Sequence, residues 1–512
     1  MDSLPDELVL TILNHVPPQA LLNLSLLCRR LHFIALPLYF KIHGIENPTE
    51  KAKVVMRDRG QDILTALQVA LFIPSIAELS YILPSYDTIQ PLRPHFRRLQ
   101  RLLARLAFAH KITLVLDSHI SLCRVGSNDS VETWVSEFNT LLNTILKRGC
   151  SHLTVQYGSF FNKAYHFRPS RLGDKVFRNV VRHIISETPE DSWEALQLDA
   201  NPDVSMELDA EGCLSSTLTH FRMESTIFLL PPCFSWSLSA LKHSPITRLE
   251  FFGITLPTKV WSVVLPPIAA VVPTLAELTL SKIYGISGVD ILHFLAKLTR
   301  LKRLSIGYTE YSKHVQSSCP DSAPIPKLHD LTHLSAPSTF VSHLLRKKSL
   351  PSLQFLCITP KTPILGSHGV RHIGRVSGTI VRRLQKYSLA PTVSLEIHHG
   401  RDADLQMEVD LAQPLGEDLI KSLRVITRLI VYSDVGVAIS EYGTLARWIA
   451  CFPALSHVSL HVRNDARNDD SWPFMDDARR AISERNPNVK SLELNGVLLS
   501  LENSSKCKRR DS

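Results

Sequence analysis

Ile246 to Leu256 reads ITRLEFFGITL, with apolar side chains at Ile246, Leu249 and Phe251 and a break at Gly253. Around Leu249 the flanking residues are charged, Arg248 before it and Glu250 after it. Alternation of that kind belongs to a short strand buried on one face. The phrase returns as LAELTLSKIYGI at Leu275, LKRLSIGYT at Leu301, LQFLCITP at Leu353, LSHVSLHV at Leu455 and VKSLELNGVLL at Val489. Weaker copies are IAELSYIL, ITLVLDSHI, HLTVQYGSF, WEALQLDANP, LTHFRMEST, LTHLSAPST, VSLEIHHG and ITRLIVYSDV. The central apolar positions are 79, 114, 153, 196, 221, 249, 278, 304, 334, 356, 395, 429, 458 and 492, on average about 32 residues apart.

That spacing leaves room for one return helix per strand, and helical patterns fall between the strands: GVDILHFLAKLTR, FVSHLLRKK, GTIVRRLQKY, EDLIKSLRV, LARWIACFP and MDDARRAISERN. The expected fold class is α/β, a curved solenoid of strand-helix units with parallel strands. The phrase is similar to the leucine-rich repeat, loosely, since the family's ladder asparagine survives at Asn201 alone and the repeat length varies. A parallel sheet covered on both sides reads as unbroken aliphatic sequence. Here the residues flanking each centre are mostly polar: Arg248 and Glu250, Glu277 and Thr279, Arg303 and Ser305, His333 and Ser335, Ser394 and Glu396, His457 and Ser459, Ser491 and Glu493. One face of the sheet therefore meets water or a ligand. Phe355, Cys357, Arg428 and Ile430 mix apolar groups into it, and Arg248, Glu250, Arg303, Phe355, Glu396 and Arg428 are the candidate contacts for a target.

Ahead of the array stands LPDELVLTILNHVPPQALLNLSLLCRRLHFIALPLYFK, Leu4 to Lys41. Pro5 suits a first helical turn, Asp6 and Glu7 complement the positive end of the helix dipole, and the helix stops at Pro17 and Pro18. Leu8, Ile12 and Val16 lie on one line with Leu13 beside them, and a second helical segment is expected from Gln19 to Ile34. This stretch resembles an F-box in its opening Leu-Pro with acidic residues behind it, its paired prolines, the Leu-Cys-Arg-Arg block at Leu27 to Arg30 and an aromatic close. It departs from the family at Leu27, Leu31 and Phe40, where Val and two Trp are common. The resemblance implies a helical unit that binds a Skp-type adaptor and through it a cullin. Leu4, Pro5, Leu8, Ile12 and Leu13 then form a first contact segment, and Leu24, Leu27 and Cys28 a second. Physics points the same way, because a unit of about 40 residues seldom buries enough apolar surface alone and needs something else to complete it.

Composition narrows the rest. The 512 residues carry 57 Lys and Arg against 48 Asp and Glu, a net +9, which is mild over this length and makes nucleic acid an unlikely partner. The longest apolar stretch, near Val263 to Val272, is interrupted by Pro266 and Pro267 and is too short to span a bilayer. Nine cysteines without a CxxC pair fit reduced thiols. With no basic and apolar leader at the start, the reading is a soluble protein of cytoplasm or nucleus, off the membrane.

No catalytic, cofactor or metal site is expected. His368 and His372 have the spacing of a helical zinc pair, but Gly369 stands where a base is needed and no third ligand is placed nearby. His398 and His399 are adjacent and point to opposite sides of a strand. GISG at Gly285 lacks the spacing of a nucleophile elbow, and no phosphate loop occurs. NDS at Asn128 and NSS at Asn503 match glycosylation sites that a cytosolic chain does not use. Arg93, Arg97, Arg101 and Arg105, with Arg98, form a basic ridge on an amphipathic helix, read as a solvated face or a dock for an acidic partner.

The expected organisation is an F-box at 1–45, a linker with a connecting helix at 46–75, an irregular repeat array that binds the target at 76–500, and a basic tail at 501–512. The expected role is a non-catalytic substrate receptor of an SCF-type ubiquitin ligase, with an unknown protein as target. The alternative is a non-degradative F-box scaffold with an acidic or nucleic-acid partner.

Overall fold

The structure, a computed structural model, describes residues 4–56, 60–84, 92–116, 131–158, 206–230, 232–256, 258–307, 309–310, 323–347, 349–359, 370–399, 407–408, 411–412, 414–433, 441–462 and 472–500. The chain forms two compact units, Met1–Leu275 and Ala276–Ser512.

The first unit opens with three helices, α1 (Asp6–Leu13), α2 (Pro18–Ser25) and α3 (Arg29–Ile42). Pro17 sits at the N-cap and Pro18 at the first position of α2, where a missing N–H costs nothing. The single helix expected from Gln19 to Ile34 is broken at Leu26 to Cys28. The cause is local. The Ser25 carbonyl, which a continuing helix would offer to the backbone, instead takes the His32 Nδ1 proton at 3.1 Å, and Cys28 turns extended to start α3. That third helix then runs through Pro37 to Ile42.

Strands β1 (Lys51–Val55), β2 (Ile76–Ile82), β3 (Ala109–Leu116), β4 (His152–Tyr157), β5 (His220–Glu224) and β6 (Arg248–Phe252) pair in sequence order, all parallel. Between and after them run α4 (Gly60–Val69), α5 (Arg93–Arg105), α6 (Val131–Lys147), α7 (Ala210–Ser215), α8 (Cys233–His243) and α9 (Thr258–Val271). Leu79 faces Ile112, Leu153 faces Phe221, and Phe221 faces Leu249, so the inward leucine row is continuous and buried. The sheet begins earlier than the sequence implied. KAKVV at Lys51 lies within the stretch read as linker, yet Ala52 and Val54 are buried and pair with β2, while α4 supplies the expected connecting helix. β4 bonds directly to β5, and the phrase centred on 196 and Asn201 lie outside the described residues.

The second unit repeats the design with β7 (Glu277–Ser281), β8 (Ile283–Tyr284), β9 (Arg303–Ile306), β10 (Thr309–Glu310), β11 (His333–Pro337), β12 (Phe355–Thr359), β13 (Thr392–His399), β14 (Ile426–Ser433), β15 (His457–Val462), β16 (Ser491–Leu494) and β17 (Val497–Ser500). Apart from a small parallel pair, β8 with β10, these form one row, parallel from β7 to β16. Asn495 and Gly496, both at positive φ, turn the chain into antiparallel β17, a two-residue loop of the kind that suits a hairpin. Leu356 faces Val393, two residues before the centre read at 395, and Leu79 faces Ile112, two before 114. A slip of two keeps every side chain on its own face, so the inside-outside assignment is unchanged.

Helices α10 (Gly288–Leu295), α11 (Ser338–Leu344), α12 (Val370–Lys386), α13 (Glu417–Leu423), α14 (Glu441–Ile449) and α15 (Trp472–Arg485) overlap the helical patterns in the sequence, with α12 starting eight residues and α14 four residues ahead of them. Glycines let two of them approach closely: a Cβ at Gly378 of α12 would lie 2.7 Å from Ser422 Oγ of α13. The fold class is thus strand-helix repeats behind a small helical unit. In each unit the leucine row is buried between the sheet and its helices, and the other sheet face is left polar.

Candidate functional site

Two surfaces carry the candidate residues. The first lies on the three N-terminal helices, where α1 divides its apolar side chains between two faces. Val9 and Leu13 point inward, Leu13 being only 4% exposed, whereas Leu8 and Ile12, one turn apart, are 52% and 56% exposed. Leu13 therefore does not stand on the free face with Leu8 and Ile12, because one residue step on a helix turns the side chain by about 100°. Leu4, Pro5 and Cys28 are exposed, Leu27 is 71% exposed, and Leu24 is half-buried. Arg30 joins the two sequence clusters: its Nη2 lies 2.8 Å from Asp6 Oδ1, its Nε donates to the same oxygen, and it also donates to the Leu4 carbonyl. The Leu-Pro-Asp-Glu start and the Leu-Cys-Arg-Arg block thereby meet at one end of the unit. Leu10, Phe33, Ile34, Pro37 and Leu38 line a cleft of about 740 Å³ between α1 and α3. Sequence reasoning did not single out Leu10, Leu26 or Phe33, although each continues a periodic apolar pattern and is exposed.

His32 ties this helical unit to the array. Its Nε2 accepts the Leu71 N–H at 3.1 Å, which leaves the proton on Nδ1 for the Ser25 carbonyl. Phe33 and Phe40 pack on Phe72 at ring distances of 5.8 and 6.4 Å. The N-terminal helices are held by the loop after α4.

The second surface is the polar face of the sheet. In the first unit Glu250, assigned from the sequence to the outward contacts, has a side chain only 5% exposed and is already engaged. Arg248 contacts Oε1 at 2.5 Å, Arg222 reaches Oε2 at 3.2 Å, and His220 Nε2 lies 3.2 Å from Oε1. The His220 imidazole and then the Arg248 guanidinium hold its carboxyl down to about 2, while burial works the other way. Glu250 and Arg248 are thus a closed charge network, completed by Arg222, which also pairs with Glu224. The sequence could not supply the Arg222 and His220 part of this set, because β5 and β6 come into register only in the sheet. Next to it His110, His152 and His220 stand 5.1 and 5.2 Å apart, and burial, then the neighbouring His220, His110, Lys111 and Arg248, lower the proton affinity of His152.

In the second unit the polar face of its own sheet carries Arg303, exposed and 3.6 Å from Glu277, and Phe355, exposed and stacked on His333 at 4.4 Å. Glu396 and Arg428 follow on β13 and β14, both half-buried. Tyr432 stacks on His461 at 4.7 Å, a pair the sequence reading missed. Burial pushes the Cys357 thiol up to about 12.

Three arginines of the α5 ridge, Arg93, Arg97 and Arg105, bond to neighbouring elements, while Arg101 is exposed. Arg93 and Arg97 share Glu137 Oε1 on α6 at 3.0 and 2.5 Å. Arg105 donates to the carbonyls of Ala70, Leu67 and Ile73 at 2.8, 2.7 and 3.1 Å, closing the C-terminal end of α4 and the turn after it. Arginine does this well because its planar fork offers several donors at once. His368, Asn128, Asn503 and the basic residues from Lys506 lie outside the described residues. Among the described residues no group of three His, Cys, Asp or Glu could hold a metal ion, and no helix is long and apolar enough to cross a membrane.

Residues 1–43 match the F-box-like family model. The chain is also similar to solved structures at low identity. For the yeast Rad7 and Elc1 complex the identity is 12%, covering 91% of this chain and 90% of that one, with a TM-score of 0.29. For the mouse RP105/MD-1 complex it is 13%, covering 78% and 64%, with a TM-score of 0.24. No curated protein sequence matches. The chain carries an N-terminal F-box-like domain followed by strand-helix repeats.

Proposed function

We propose that the protein is the substrate-recognition subunit of an SCF-type ubiquitin ligase. The F-box-like helices dock on a Skp-type adaptor, which links the chain to a cullin, and the polar sheet face holds a protein target. The observation that carries this reading is the exposed apolar set Leu8, Ile12 and Leu27 on a small unit whose own core is already closed by Val9, Leu13, Leu21 and Leu36. Large aliphatic side chains left in water on such a unit are what a second protein covers. Leu4, Pro5 and Cys28 flank that set, and Leu24 contributes at its edge. Within this reading the chain makes and breaks no bond. Its contribution is proximity: a target held on a repeat array experiences a raised effective concentration of the conjugating enzyme carried by the same complex. The tie between His32 and Leu71 matters here, because slack between adaptor and target lowers that concentration.

The test is affinity purification of the full chain from cells with and without proteasome inhibition. Adaptor and cullin are expected in both samples, with a further protein enriched on inhibition. Absence of the adaptor from both samples contradicts the proposal.

A further inference from the structure

We propose that the exposed arginines and lysines at the C-terminal ends of α11, α12 and α13 form a docking surface for an extended acidic segment of a partner protein. The surface lies on the helix side of the second unit, apart from the polar sheet face, and stands whether or not the chain is a target receptor.

The charge is gathered in one place. From Leu331 to Leu395 the sequence holds nine Lys and Arg and no Asp or Glu, so this stretch alone has a charge equal to the net +9 of the whole chain. Among the described residues Arg346 and Lys347 follow α11, Arg382 and Lys386 lie in the last two turns of α12, and Lys421 and Arg424 close α13, all six exposed. The three ends meet. The Tyr387 hydroxyl donates to the Arg346 carbonyl at 2.6 Å, and the close approach of Gly378 to Ser422 sets α12 against α13. Burial first, then the cations of Arg346 and Arg382, lower the proton affinity of Arg383, so these guanidinium groups share one electrostatic neighbourhood. Like charges crowded on a folded surface repel, and an anion bound across them relieves the repulsion.

Helix C-termini collect cations because the dipole is negative there, an effect confined to the last turn. Arg375 and Arg382 precede that turn, are exposed, and lie two turns apart on nearly one line of α12. The ridge on α5 shows the contrast, since α6 supplies Glu137 to it, whereas α11 has no carboxylate at all. On the other side α13 offers Glu417 and Asp418 in its first turn, and Asp418 stands 4.0 Å from Lys421, away from the cations that end α12.

The surroundings define the partner. Arg382 and Lys386 are one turn apart, about 6 Å, close to the roughly 7 Å between alternate side chains of an extended chain. A segment with acidic residues at every second position therefore meets successive cations along α12. The Arg382 fork is held for this by its Nε, which donates to the Gly378 carbonyl at 3.2 Å. Single-stranded nucleic acid suits the surface less, because the Tyr387 ring is half-buried under Lys386 Nζ at 5.7 Å and is not open for a base to stack on. A duplex groove does not admit α12, which is packed between neighbouring helices. A membrane surface fits poorly too, since none of the exposed large apolar side chains among the described residues belongs to α11, α12 or α13.

The experiment titrates the full chain into labelled peptides of about twelve residues, read by fluorescence anisotropy. One peptide alternates Glu with Ser, and its control alternates Gln with Ser. The Glu peptide is expected to bind at least about tenfold more tightly than the control, and its affinity to fall severalfold between about 50 and 300 mM salt. Arg382→Gln with Lys386→Gln weakens the Glu peptide about fivefold, as does Lys347→Gln with Arg424→Gln on the flanking helix ends, while Arg101→Gln on α5 leaves it unchanged. Both double variants replace exposed side chains and are expected to unfold at the temperature of the unaltered chain, which guards against a folding defect in either. Equal affinity for the Glu and Gln peptides, or an affinity unchanged in both double variants, overturns the surface. Tighter binding of a labelled RNA of about twelve nucleotides, of a DNA duplex or of anionic lipid vesicles than of the Glu peptide overturns the choice of partner.

Discussion

Changing Leu8 and Ile12 together to aspartate is expected to lower capture of a Skp-type adaptor by the full chain at least about a hundredfold, with thermal unfolding of the chain nearly unchanged. Each aliphatic anchor contributes roughly 1.5 to 3 kcal/mol when fully buried at an interface, so two of them account for about 3 kcal/mol or more, and a buried carboxylate adds a further penalty. Both side chains are more than half exposed in the free chain, so aspartate there meets water and not the core. Leu13→Ala behaves in the opposite way. That side chain is buried, and its truncation costs about 2 to 4 kcal/mol of stability through the lost contacts and the cavity left behind. Unchanged adaptor recovery by the double aspartate variant, measured with quantified input, rules out this face as the dock.

Glu250→Gln carries the largest expected effect within the array. The amide keeps the shape of the side chain and removes the charge that holds Arg222, Arg248 and His220 together. Two guanidinium groups are then left facing each other over a buried neutral group. The expected loss is about 2 to 3 kcal/mol, below that of a fully buried pair because Arg248 is partly in water. Acid titration reads the same network. Since the native carboxyl titrates at about 2, below its ordinary 4.5, the stability it contributes is fully present above pH 4.5 and is lost as the pH falls towards 2. Urea unfolding of the unaltered chain should therefore weaken over that window, and the glutamine variant should weaken less steeply. A variant within about 0.5 kcal/mol of the unaltered chain at pH 7 contradicts the network.

The sequence revealed the array because its signal is local. Leu249, Leu278, Leu304, Leu334, Leu429, Val458 and Leu492 were each placed by alternation within a few residues, and all are buried in the row. It failed where the signal was weak or absent. Lys51–Val55 has two alternating small apolar residues and no leucine, so nothing marked it as the first strand. The division of α1 was only half legible. Periodicity puts Leu8, Ile12 and Leu13 on broadly the same side, and only packing against α3 decides that Leu13 goes in. Glu250 was misplaced for a related reason. Its outward position is correct by register and Arg248 stands two residues away on the same strand, but Arg222 and His220, which complete its cover, come from β5, 28 and 30 residues away. The basic ridge was legible in part: Arg97 and Arg101 are on the solvated side as read, whereas the partners of Arg93 and Arg105, Glu137 and the α4 carbonyls, are distant in sequence.

If the N-terminal helices offer a preformed apolar face to an adaptor, isothermal titration of a purified Skp-type adaptor into the full chain gives one adaptor per chain, a negative heat-capacity change from the apolar surface covered, and little dependence on salt. No binding at about 100 μM adaptor, or binding that survives deletion of residues 1–45, rules out that docking face.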